Sequence, residues 1–97
     1  MNFTEKKREL LNTITTTKRR TDTGIPYDVF NNVPEALQIK KEHEGRRVWI
    51  STIPRTKKAW LCSFNGDEVK IKFQKGFDRD FLIEEVILHP KEWRDYV

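Results

Sequence analysis

The chain has 97 residues, 36% of them hydrophobic and 35% charged, with 19 Lys and Arg against 15 Asp and Glu for a formal net charge of +4. That length suits one small core and excludes two separately cored domains, which cluster around roughly 100 to 150 residues. The single cysteine, Cys62, excludes an intramolecular disulfide and a thiolate-rich zinc site, and it fits a reducing, intracellular compartment.

The N-terminal MNFTEKKRELL has no apolar core of about 7 to 15 residues such as a signal peptide carries, and no run approaches the roughly 20 apolar residues that span a bilayer. A soluble protein with no membrane partner is expected. Phe3, Leu10, Leu11 and Ile14 recur at spacings that place them on one side of a helix, with Glu5 in the first turn where the helix dipole favours an anion. Lys6, Lys7 and Arg8 then face outward. Four Thr within residues 13 to 17 oppose further helix through their restricted rotamers, and Gly24 and Pro26 follow. Residues 16–26, with Lys18, Arg19 and Arg20, are expected to form a basic loop or linker inside a single domain spanning 1–97.

In NNVPEALQIKKEHEG, Pro34 suits a first helical position and Gly45 a helix end, so a short helix over 34–43 is expected; Leu37, Ile39 and Lys41 also fit a strand. The pattern is firmer from Arg46 onward. AWLCSF and DEVKIKF flank Asn65-Gly66, the dipeptide favoured in two-residue hairpin turns. Strands are expected near 46–53, 58–64, 67–74 and 81–88. The C-terminal HPKEWRDYV reads as a terminal helix that sets Trp93 beside Tyr96 or Val97 and closes the core. The fold class is therefore α+β: an N-terminal helix packed on a small, strongly twisted antiparallel sheet of about four strands. The strand count and short loops also fit a partly open barrel of SH3-like or Tudor-like architecture.

A turn at 65 and 66 sets Cys62 opposite Val69 and Trp60 opposite Ile71, and residues directly opposite share a face. Trp60, Cys62, Phe64, Val69, Ile71 and Phe73 are then core, while Leu61, Ser63, Glu68, Lys70 and Lys72 face out. A five-residue loop at 54–58 turns Val48 and Ile50 inward and Arg47 and Trp49 outward; a four-residue loop reverses this. The first arrangement uses the commoner core residues.

No catalytic constellation, phosphate loop, nucleotide fingerprint or cofactor motif is present. His43 and His89 lack a second ligand at metal spacing, so His43 is expected to be solvated and His89 to mark a strand boundary. Asp78 and Asp80 flank Arg79 in a sequence that suits a turn with local salt bridges. Charge is uneven: residues 1–58 hold 13 basic and 7 acidic side chains, and 59–97 hold 6 and 8. Cations with an exposed aromatic are the physical recipe for nucleic-acid contact. The expected binding residues are Lys18, Arg19, Arg20, Arg47, Trp49, Arg55, Lys57, Lys58, Lys70 and Lys72, acting on DNA or RNA without sequence preference. The alternative is a non-enzymatic adaptor or inhibitor that docks on an acidic protein surface.

Overall fold

The computed structural model describes the backbone of residues 3–95 and the side chains of 5–93. The expected packing of Phe3, Tyr96 and Val97 lies outside the described residues. The chain is an α+β domain with one N-terminal helix, α1 (Phe3–Thr13), and seven strands: β1 (Thr15–Arg20), β2 (Pro26–Asn31), β3 (Val48–Ile50), β4 (Ala59–Asn65), β5 (Glu68–Phe73), β6 (Asp78–Leu82) and β7 (Val86–Leu88). They pair antiparallel in three separate sets, β1-β2, β3-β7 and β4-β5-β6. These sets close no barrel among the described residues, and the antiparallel strands are divided among three sheets instead of the expected single sheet of about four.

Leu10, Leu11 and Ile14 of the α1 segment pack against the core, as their spacing implies. The Thr-rich run after α1 is a strand rather than a linker. β-branched side chains that disfavour helix fit a pleated ribbon, and Thr15 to Arg20 pair residue by residue with Asn31 to Pro26. Only 21–25 form its loop, closed by the Thr21 N–H donating to the Ile25 carbonyl at 3.0 Å. The expected helix over 34–43 resolves into two short 3₁₀ turns, Glu35–Leu37 and Lys41–His43, with Leu37 and Ile39 buried.

The β4-β5 hairpin turns at Gly66 and Asp67, with Asn65 opposite Glu68. Gly66 has φ +68° and Asp67 stays at negative φ, the pattern of a type II′ turn, whose first central position needs glycine. Phe64 faces Val69, and Val69, Ile71 and Phe73 are buried as their alternation implies. A bulge at Cys62 then shifts the partner strand by one residue, so that Leu61 lies opposite Ile71 and Trp60 opposite Lys72. The one extra residue reverses the expected parity beyond it. Leu61 and Ala59 are core, Cys62 is exposed, and Trp60 is half-buried on the outer face.

The expected strand over 81–88 is broken at Ile83–Glu85, a 3₁₀ turn in which the buried Glu85 carboxylate accepts from the Leu82 N–H at 2.9 Å. Burial raises the Glu85 pKa above the ordinary carboxylate value. The break lets β7 leave β6 and pair with β3, with Val48 opposite Leu88 and Ile50 opposite Val86. The Arg47–Trp60 bridge, with the Leu61 N–H donating to the Arg46 carbonyl at 2.9 Å, links the segment before β3 to β4. The core joins Leu37, Val48, Ile50, Leu61, Ile71 and Trp93 with their neighbours. Trp93 is 1% exposed and its Nε1 donates to the Leu88 carbonyl at 2.8 Å, so the C-terminal segment does close the core, as a 3₁₀ turn over Pro90–Asp95. Among the described residues no helix is long and apolar enough to cross a membrane.

Candidate nucleic-acid interface

The expected binding residues divide into three places. On the outer face of the β4-β6 sheet, a row of directly opposed residues runs Arg47, Trp60, Lys72, Asp78, and a second runs Ser63, Lys70, Asp80. Arg47, Lys70 and Lys72 therefore do share a face. Each of the two lysines, however, sits across from an aspartate, and the carboxylates offset their positive field. Asp78 and Asp80 belong to a strand rather than to the expected salt-bridged turn, and Arg79 lies over the Phe81 ring at 5.1 Å.

Val48 and Ile50 point inward as expected, and Trp49 lies on the opposite side of β3, half-buried. Its ring is covered rather than open. Arg55 sits over it at 4.5 Å, and His89 meets its edge at 5.2 Å. The Trp49 Nε1 and Arg47 Nε atoms are buried without a hydrogen-bond partner. Trp49 therefore serves as the seat of the Arg55 guanidinium, a cation–π contact. His89 is buried, and its Nδ1 accepts from the Lys91 N–H at 3.0 Å. Burial first, and then the nearby cations Arg47, Lys91 and Lys7, pull its pKa down to about 4. His43 is also buried rather than solvated, its Nδ1 accepting from the Lys40 N–H at 3.0 Å.

Lys18, Arg19 and Arg20 lie on β1, whose six residues are all exposed. Two of the three cations have a partner. Arg19 pairs with Glu84 at 2.9 Å, Arg20 donates to the Gly24 carbonyl at 3.0 Å, and Lys18 is opposite Asp28.

Arg55, Lys57 and Lys58 occupy the 54–58 loop, which folds back through the Lys57 N–H donating to the Pro54 carbonyl at 3.0 Å. The Gln74 N–H donates to the Lys58 carbonyl at 3.2 Å and ties this loop to the 74–77 turn between β5 and β6. That turn adds Lys75 and Phe77, which the sequence reading passed over. Gly76, at φ +95°, reverses the chain there, and the Phe73 N–H donates to the Phe77 carbonyl at 3.0 Å. Phe77 thus folds back on Phe73, ring centroids 4.8 Å apart and 18° from parallel. An open cleft of about 260 Å3 runs between the two segments, lined by Thr56, Lys57, Lys58, Gln74, Lys75 and Phe77. Among the described residues, Lys57, Lys58 and Lys75 make no ion pair. The signal for Phe77 was an aromatic beside a turn glycine, outside the strand alternation that assigns aromatics to the core.

The ribbon and this lysine end are far apart. Glu84, which holds Arg19, adjoins the Gly66 turn, since the Ile83 N–H donates to the Asp67 carbonyl at 3.0 Å. The lysines lie where β5 finishes, a strand of six residues away, or roughly 20 Å at the usual rise. No family model, curated protein or solved structure gives a match to this chain.

Proposed function

We propose that this chain is a small non-enzymatic nucleic-acid-binding protein whose contact surface is the basic end of the β4-β6 sheet. One observation carries this: Lys57, Lys58 and Lys75 come from two tied segments onto one cleft, with no acidic side chain lining it. Exposed cations gathered without acidic partners set up a local positive potential that attracts a polyanion, and a phosphate backbone supplies regularly spaced charge and releases its counterions on contact. Contacts of this kind fix position and carry little sequence information. Lys70 and Lys72, each across from an aspartate, Arg47 and the cations of β1 contribute secondary attraction.

Binding of labelled oligonucleotides across a salt series tests this. With three phosphates neutralised on a single strand, log affinity should fall against log salt with a slope of roughly −2. Affinity that ignores salt, or is absent at low salt, refutes it.

A second reading, docking on a protein, is favoured by the fully exposed outer strand β1 and by Ile25, 62% exposed in the ribbon loop. An open strand edge is a template for strand addition. Leu61 and Trp93, large apolar side chains that would anchor such docking if exposed, are both 1% exposed and withdrawn into the core. A nuclease-resistant, stoichiometric protein complex would favour this second reading.

A further inference from the structure

We infer that Phe77 is a stacking platform for an unpaired base, so that the nucleic acid held at the lysine end is single-stranded. This rests on the nucleic-acid-binding proposal and names the substrate class of that same site. Phe77 is 45% exposed, and its ring rests on Phe73, which is 4% exposed and fixed in the core. The Phe73–Phe77 backbone hydrogen bond and the Gly76 turn hold that arrangement. A ring backed by a rigid aromatic and open to solvent loses little freedom when a second ring covers it. Every base offers a π face, and base–aromatic stacking tolerates any sequence.

The surroundings match the same ligand. Lys57, Lys58 and Lys75 line the same cleft as the ring, where they can meet the phosphates of a strand whose base covers Phe77, and Thr56 and Gln74 add neutral polar groups along it. A duplex keeps its bases stacked inside and presents only phosphates and groove edges, so it would meet the lysines and leave Phe77 idle. If Phe77 only covered Phe73, any apolar side chain of similar length would serve.

The test compares wild type with Phe77→Leu and Phe77→Trp on a labelled oligodeoxythymidylate and on a duplex of equal length, with thermal melts of each variant. Expected are a preference of wild type for the single strand, a loss of roughly 5- to 100-fold for Phe77→Leu on that strand, little change on duplex, and retention by Phe77→Trp. Salt-dependent binding with no strand preference, or Phe77→Leu binding like wild type, overturns the stacking inference and leaves the basic surface standing. Binding to neither probe, or a protein complex that masks the cleft in place of nucleic acid, overturns both. Should Phe77→Leu fail to fold, ultraviolet cross-linking of the oligothymidylate to wild type decides: a cross-link at Phe77 supports the platform, and cross-links elsewhere refute it.

Discussion

The β1-β2 ribbon and the basic end of the β4-β6 sheet are both rich in Lys and Arg, yet their charges stand in different conditions. On the ribbon, Arg19 is paired with Glu84, Arg20 is bonded to a carbonyl, and Lys18 stands opposite Asp28. At the sheet end the three lysines make no ion pair among the described residues, and they line a cleft with an exposed ring. KRR in the sequence looks the stronger anion-binding signal. In the folded chain Arg19 docks the ribbon to the 83–85 turn and Arg20 bonds its own loop, whereas Lys57, Lys58 and Lys75, separated in sequence by β4 and β5, are brought to one cleft. Local density of charge therefore says little about availability until the partners across the fold are known.

The two regions also differ in what anchors them. The sheet buries Ala59, Leu61, Val69, Ile71 and Phe73, whereas the ribbon proper buries Val29 alone. Leu61→Ala should cost about 2 to 5 kcal/mol and lower the whole unfolding transition. Val29→Ala should cost about 2 kcal/mol and free the ribbon first, seen as faster amide exchange over 26–31 with the sheet still protected. Urea denaturation and hydrogen exchange on the two variants measure this. Loss of protection in both regions together after Val29→Ala would break the contrast.

Acid should act on the other region. His89 is neutral in the fold, with a pKa of about 4 against 6.5 when unperturbed. Stability from this group is therefore complete above about pH 6.5 and declines as pH falls towards 4, because the unfolded chain takes up the proton first. The loss should reach up to about 3 kcal/mol at the foot of that range. His89 packs on Trp49, which seats Arg55, so exchange should rise over 47–58 before 26–31. His89→Gln should flatten the pH dependence.

Much of the sheet was legible in the sequence because β5 has a strict period of two, with Val69, Ile71 and Phe73 inside and Glu68, Lys70 and Lys72 outside. Asn65-Gly66 marked the turn to within one residue. The α1 stripe was legible for the same reason of periodicity, and the inward pair Val48 and Ile50 because they are commoner core residues than Arg47 and Trp49. What was hidden lacks periodicity. The bulge at Cys62 leaves no pattern of its own and exchanges Trp60 and Cys62 for Leu61 and Ala59 in the core. The polar ribbon has no apolar alternation to read, since β1 is exposed throughout. Phe77 owes its exposure to a glycine turn and to Phe73 across it, a contact that strand spacing does not encode.

The most direct test compares two triple variants, Lys57→Gln/Lys58→Gln/Lys75→Gln and Lys18→Gln/Arg19→Gln/Arg20→Gln, for single-strand binding at several salt concentrations. The first should lose about 100-fold in affinity near 0.1 M salt and make the log–log slope shallower by about 2, the share of three neutralised phosphates on a single strand. The second should lose less than about threefold and keep its slope. The opposite result, with binding surviving the loss of the three lysines and collapsing with the ribbon cations, would contradict the assignment of the interface to the basic end of the sheet.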